Sequence, residues 1–428
     1  MKSEDVPPIV RLPLEVLEVF VELSPVAAKL AISRVSRLFH SLTLRSLYRD
    51  ISLCSPRLVI GCCRTLTSNR NAASTVRSIS ISYTHYPSAS NSFLSSYYSL
   101  IRHALLSLPD LHTLKLLIHD PHLVTLLDHS LFPSLCQFEC YLTPSATLVD
   151  FLNHHPRINY LQVSPYENTA VSEDDLTLPP LQLPRLRYFA GNVQSVPFIG
   201  PSSPLRAAII SWEAIDTEPD LVFAALQRSS RNTLSLLSCR RRGWNLDLID
   251  SVSLRLPEIL TLRVSNVLLV DSSPTETYLQ TIRSYLHRFT HLLRLRVNCI
   301  DYWEMGDVTC QLDQDASTVT EWGEACPSLV EITLPHSDGL SWFRFSGNVW
   351  VPDPKHALGV RWLETAIEKK TSMLNSIAEG LDVGHQSESP RSHPREFHES
   401  IAAVRWQVGI MLGNRVGISH EGDGDGRR

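Results

Sequence analysis

The sequence predicts an α/β protein: a short all-α segment at the N-terminus, then an irregular solenoid with parallel strands on its concave side and helices on its convex side. Three observations predict this. A pattern of apolar residues at positions one, four and six, Leu-x-x-Leu-x-Leu and its variants, returns ten times between Val76 and Leu334. Proline often stands one or two residues before a copy, and apolar residues at spacings of three and four fill the stretches between copies. The first fifty residues carry no such copy and instead show apolar residues at helical spacing.

From Leu12 to Leu23 the chain reads LPLEVLEVFVEL, with Pro13 where a helix start tolerates proline and glutamates where the helix dipole favours anions. At about 100° per residue, Glu15, Glu18 and Glu22 fall within roughly 60° of one another, while the apolar residues cover an arc of about 220°. That arc is too wide for one contact. Ser24 and Pro25 break the chain, and a second helix is expected from Val26 to about Phe39, with a third helical segment from His40 through Tyr48. Three short helices cannot bury all of this surface against one another, so part of it must dock elsewhere, either on the rest of this chain or on another protein.

The stretch LPLEVLEVFVELSPVAAKLAISRVSRLFHSLTLRSLY resembles the F-box. Leu12, Pro13 and Glu15 match its opening motif, with Leu14 between them; Leu17 and Phe20 match its apolar helix and Leu23 and Pro25 its break. Leu30, Val35, Arg37 and Phe39 match the second half, and Leu47 and Tyr48 sit where the motif closes. Ser36 departs from the usual cysteine, and Phe39 stands where tryptophan is common. In that family these positions contact the Skp-type adaptor of cullin-based ubiquitin ligases, so the resemblance implies such an adaptor as partner. It is most like that of divergent fungal F-box proteins.

The ten copies begin at Val76, Leu111, Leu135, Ile158, Leu186, Leu205, Leu234, Ile259, Leu292 and Leu329, with successive starts 19 to 37 residues apart; the fifth ends on a weak Gly191. Each copy alternates as a short strand should. Helical stretches are expected at 93–108, 122–131, 146–155, 220–228 and 278–289. Strand, loop, helix, loop at this period resembles the leucine-rich repeat. The asparagine position that follows the family's motif is not kept; His119, Thr143 and Tyr166 fall near it, so an irregular array is expected. Outward strand residues His112, Lys115, Gln162, Arg187, Arg263, Arg294, Arg296 and Thr333 form the candidate surface for a client protein, against the alternative of ordinary solvated strand faces.

The expected boundaries are a flexible N-terminus at 1–11, F-box-like helices at 12–52, the repeat array at 53–340, a cap at 341–378 and a mostly flexible tail at 379–428 with a short helix near 399–412. Within the cap, Ser341 to Val351 reads as a strand or hairpin, Trp342, Phe343, Phe345 and Trp350 as capping core, and 356–377 as an amphipathic helix.

Composition narrows the function. A net charge of −5 and a densest basic run of only Arg240, Arg241 and Arg242 argue against nucleic acid. No apolar run approaches the length of a membrane span, and the first residues lack a signal-peptide core, so neither secretion nor a membrane partner is expected. Nine cysteines without a regular framework, and no Asn-x-Ser/Thr sequon, suit the cytoplasm or nucleus.

Phosphate-loop, dinucleotide, zinc-protease and nucleophile-elbow motifs are all missing from the sequence, and no Cys-x-x-Cys pair occurs. No catalytic site, cofactor or metal is expected. Cys136 and Cys140 read as strand residues, the adjacent His154 and His155 as the end of a helix, Asp174 and Asp175 as a solvated loop, and Asp423, Asp425 and Gly426 as too short for a calcium loop. The expected function is therefore substrate recruitment: the F-box holds the Skp-type adaptor, and the repeats hold an unidentified client. The alternatives are a repeat scaffold without ubiquitin coupling, and an enzyme whose groups converge only in three dimensions, which a deep polar pocket would reveal.

Overall fold

The computed structural model describes residues 12–83, 93–165, 178–201, 203–212, 218–230, 233–267, 276–299, 309–335, 339–345, 348–368, 404 and 407–408. The expected flexible segments, Tyr166, the Asp174–Asp175 pair and the Asp423–Gly426 run lie outside these residues, apart from Val404, Gln407 and Val408. Those three are helical, and Val404 and Val408 are buried. The chain forms two compact units, Met1–Leu205 and Arg206–Arg428.

The first unit starts with three helices, α1 (Leu14–Leu23), α2 (Val26–Ile32) and α3 (Arg37–Tyr48), followed by β1 (Asp50–Leu53), α4 (Pro56–Ser68), α5 (Arg70–Thr75) and β2 (Ser78–Ser82). It continues with α6 (Ser95–Leu106), β3 (Thr113–Leu117), a 3₁₀ turn at Pro121–Leu126, β4 (Gln137–Cys140), α7 (Ala146–Asn153), β5 (Tyr160–Val163) and β6 (Tyr188–Asn192). Strands β1 to β6 pair in parallel in sequence order.

The second unit carries β7 (Ala207–Ser211), α8 (Pro219–Ser230), β8 (Leu236–Arg241), α9 (Leu246–Arg255), β9 (Thr261–Asn266), α10 (Glu276–Leu286), β10 (Arg294–Cys299), α11 (Thr309–Ala325) and β11 (Glu331–Thr333). Then follow β12 (Ser341–Arg344), β13 (Trp350–Pro352) and α12 (Ala357–Glu368). Strands β7 to β11 are parallel, and β12 and β13 add to β11 in antiparallel fashion. Parallel neighbours joined by crossovers on one side give each unit the strand-and-return repeat of leucine-rich-repeat proteins.

All ten predicted copies are strands, β2 to β11. Their inward residues meet in register: Ile79, Leu114, Phe138, Leu161 and Phe189 in the first unit, and Ala208, Leu237, Leu262, Leu295 and Ile332 in the second. Each of these side chains is 2% exposed or less. The weak copy ending at Gly191 has a steric reason, because a Cβ there would lie 2.6 Å from the Val163 carbonyl oxygen. Cys140 and Cys239 fill the neighbouring inward rows, formed by the sixth positions, as small core residues, and burial pushes the Cys140 thiol up to about 12.

One hydrogen-bond device recurs at the strand mouths. The Arg49, Arg77, His112, Cys136 and Asn159 carbonyls each accept from two successive N–H groups on the next strand, as Arg77 does from His112 and Thr113 at 2.8 and 3.0 Å. The Arg206, Ser235, Leu260 and Leu293 carbonyls do the same in the second unit.

Some sequence expectations need correction. A single helix over Val26–Phe39 is not formed: Ser36 is extended, and its hydroxyl accepts the Phe39 N–H at 3.3 Å, so a new helix starts at Arg37. The stretch 122–131 holds a 3₁₀ turn only, Pro121–Leu126, capped by Asp120, whose carboxylate accepts the His122 N–H at 2.9 Å. An unpredicted strand, β1, follows Tyr48, where Tyr48, Ile51 and Leu53 repeat the one-four-six spacing inside a stretch otherwise read as the close of the helical segment. Helices α4, α5, α9 and α11 lie outside the helical stretches named from the sequence, although α9 and α11 fall between copies, where helices are expected.

The antiparallel hairpin covers the last parallel strand of the second unit. Trp342, Phe343, Phe345 and Trp350 are buried as expected, Trp342 meets Trp362 edge to face, and the Trp362 ring N–H donates to Asp313 at 3.0 Å. His155 does more than end a helix. Buried at 3% exposure, its Nε2 accepts the Phe132 N–H at 2.8 Å while Nδ1 lies 2.6 Å from the Phe151 carbonyl, an arrangement of the neutral ring.

Leu114→Ala should cost about 2–5 kcal/mol in denaturant unfolding, because the inward rows leave little room to collapse. Burial lowers the His155 pKa from its ordinary 6.5, so its contribution is complete above that value and is lost as pH falls from there through the folded-state value. Stability measured between pH 7 and 5 should therefore fall more steeply in the wild type than in His155→Gln.

Candidate functional site

The N-terminal helices bury a very small core and leave a large apolar surface bare. Leu17 and Val21, one turn apart on α1, pack against Phe39 and Leu42 of α3, with Ile32 partly buried beside them. The Thr43 hydroxyl bonds the Phe39 carbonyl, and Arg45 reaches Glu18 at 2.6 Å across the two helices, a surface pair worth about 0–1 kcal/mol. Helix α2 buries no residue at all.

Ends and breaks hold these helices in place. Pro13 is extended, and its carbonyl accepts the Val16 and Leu17 N–H groups. Pro25 is likewise extended, starting α2, and its carbonyl accepts the Lys29 N–H at 3.0 Å. Helix α3 also packs on β1 and α5, which ties the segment to the strands of the first unit.

Ten large apolar side chains between Leu12 and Leu38 are exposed: Leu12, Leu14, Val16, Val19, Phe20, Leu23, Val26, Leu30, Val35 and Leu38. Leu23, the last residue of α1, is 81% exposed, and Val35, in the turn between α2 and α3, is 71% exposed. Such a concentration of apolar surface is a candidate docking face. Of the predicted adaptor contacts, Leu12, Pro13, Leu14, Glu15, Phe20, Leu23, Pro25, Leu30 and Val35 are exposed. Leu17 and Phe39 are not available: they form the internal core, so their apolar character serves the helices themselves. Leu47 and Tyr48 are half-buried where α3 runs into β1.

The predicted client residues fall into two groups, one in each unit. In the first, Lys115, Glu139 and Gln162 stand side by side on β3, β4 and β5, and Lys115 is paired with Glu139 at 3.0 Å. Gln137 also donates to Glu139 at 2.6 Å. His112 and Arg187 are exposed at the mouths of β3 and β6. In the second, Arg263, Arg294 and Arg296 share the outward face of β9 and β10. Thr333 leaves the set, because the hairpin buries it and its hydroxyl meets that of Ser341 at 2.9 Å.

The buried carboxylates Glu139 and Glu331 belong to these faces and were missed in the sequence. Their strand parity was the available signal, since each sits one residue from an inward apolar position. Elsewhere in the first unit, a hollow of about 380 Å³ is lined by Asp128, His129, Asp150 and His154 among others, and the Asp150–His154 pair is 3.6 Å apart and well exposed. Among the described residues no cluster of His, Cys, Asp or Glu has the makings of a metal site, and no helix is long and apolar enough to cross a membrane.

Comparison with protein-family models finds no match, and comparison with curated proteins finds none either. Among solved structures the chain is similar to the crystal structure of the leucine-rich repeat-containing protein LegL7 from Legionella pneumophila, at 11% identity and a TM-score of 0.39, over 66% of this chain and 89% of that one. So distant a likeness carries no function across.

Leu17→Ala should lower the thermal midpoint, whereas Val35→Ser should leave stability within about 0.5 kcal/mol of wild type, since the Val35 side chain packs against little. Ser36→Ala should cost about 0.5–2 kcal/mol by removing the cap of α3, read by denaturant unfolding.

Proposed function

We propose that this chain recruits a client protein to a cullin-type ubiquitin ligase, docking on a Skp-type adaptor through α1 and α2 and presenting the client on its strand faces. The carrying observation is the bare apolar surface from Leu12 to Val35, which falls on the residues that resemble the F-box. An adaptor's apolar groove would cover that surface at about 25 cal/mol per Å² buried. The motif departure at Ser36 is compatible with this, because that residue caps α3 and points to no partner.

The mechanism is proximity. A client held beside a charged conjugating enzyme gains effective concentration, and the recruiting chain needs binding groups but no nucleophile or cofactor. Cytosol or nucleus is the compartment in which such a ligase works. The strand-and-return repeat supports the wider reading as well, an interaction scaffold without ubiquitin coupling, and the two readings divide on adaptor binding.

Co-purification with a Skp-type adaptor separates them. The wild-type chain should retain the adaptor, and Phe20→Asp combined with Val35→Asp should lose it while keeping the wild-type melting temperature. A folded wild type that retains no adaptor leaves the scaffold reading.

A further inference from the structure

Four charged side chains meet on the outward face of β9, β10 and β11. The register sets Arg263 directly opposite Arg296, and Arg294 opposite Glu331. Arg294 Nε donates to Glu331 Oε2 at 2.5 Å, and Arg296 Nη2 lies 3.7 Å from Glu331 Oε1. Among the described residues of these three strands, one carboxylate contacts two of the three guanidiniums, those of Arg294 and Arg296, while Arg263 faces Arg296. Like charges directly opposite on neighbouring strands destabilise a sheet.

Hydrogen bonding is incomplete in the same place. The Nε atoms of Arg263 and Arg296 are both buried without a hydrogen-bond partner among the described residues. Burial, then the neighbouring Arg296 and Arg294, lower the pKa of Arg263 below the usual arginine value, and Glu331 opposes them. Around the pair, Ser238 stands opposite Arg263, and Ser265, which donates to Asn298 at 2.8 Å, stands opposite a further arginine, Arg240. The cluster adds nothing to the apolar core and leaves polar donors unsatisfied, a local conflict that folded proteins keep at functional sites.

The geometry points to an acidic protein segment as the occupant, laid across β9 and β10 with two carboxylate side chains on Arg263 and Arg296. This rests on the reading of the outward strand faces as the client surface, and adds the chemistry that the client must bring. Two carboxylates match the two guanidiniums that stand opposite one another, and guanidinium forks match carboxylate geometry. The donors stand on adjacent strands about 4.8 Å apart, a separation bridged by two carboxylates of one segment. The attraction is local, because the chain as a whole carries a net charge of −5.

Fluorescence anisotropy on the full chain tests this, with a labelled ten-residue glutamate peptide as probe and ten-residue glutamine, lysine and phosphoserine-bearing peptides beside it. The glutamate peptide should bind, lose affinity as salt is raised, and bind roughly tenfold more weakly to each of Arg263→Gln and Arg296→Gln, with the glutamine and lysine peptides unbound. Thermal melts of the two variants establish that each is folded, and either one alone suffices to read the effect. Absence of glutamate binding, binding insensitive to both substitutions, or capture of the phosphoserine peptide alone overturns the assignment. The Phe20→Asp, Val35→Asp chain should bind the glutamate peptide as the wild type does, so a failure of adaptor docking is read separately from a failure here.

Discussion

Everything in this fold hangs on a hydrogen bond with one acceptor and two donors. At each strand mouth, the carbonyl after the first apolar residue of the pattern receives two consecutive N–H groups of the following strand, as at Arg77, His112, Cys136, Ser235 and Leu260. That doubled bond fixes where the next strand begins, and a parallel strand shifted by one residue would turn its apolar row outward. With the start fixed, the fourth positions of neighbouring copies line up within each unit, as do the sixth positions of all but the last copy, and the inward rows fill themselves. The loops and helices between copies are then free to vary in length, which is why starts 23 to 37 residues apart within each unit still give one register there.

This explains what was legible in the sequence. The strand rows were, because the one-four-six spacing is short, local and repeated, and all ten copies form strands. The return segments were less so. Helix α9, with Leu248, Ile249 and Val252 buried, and α4, with Val59, Cys63 and Leu66 buried, carry ordinary amphipathic spacing that the stronger strand signal overshadowed. The break inside the expected second helix turned on one hydroxyl: Ser36 reads as a mild departure from a motif, yet it decides where α3 begins.

Which apolar residues of the helices would be buried and which left bare was not legible, for a reason of geometry. An apolar arc of about 220° on a short helix says that two things are covered, but not which residue meets which. Leu17 and Phe39 went to the internal core and Leu23 and Val35 to the bare face, a partition set by how three helices cross. On the strand faces, parity identified the arginines, while Glu139 and Glu331 were overlooked because a carboxylate beside a row of leucines does not announce that its neighbours across the sheet are cationic. Both acids do the same job in their separate units, partly neutralising basic side chains on a face that would otherwise repel itself.

Helix α3 has two sides in use. It closes the small core with α1 and it packs on β1 and α5, with the next strand beginning two residues after its end. No hinge or tether intervenes between the bare apolar helices and the first strands of the first unit. The orientation of α1 and α2 relative to those strands is thereby a property of the fold and not of a swinging linker.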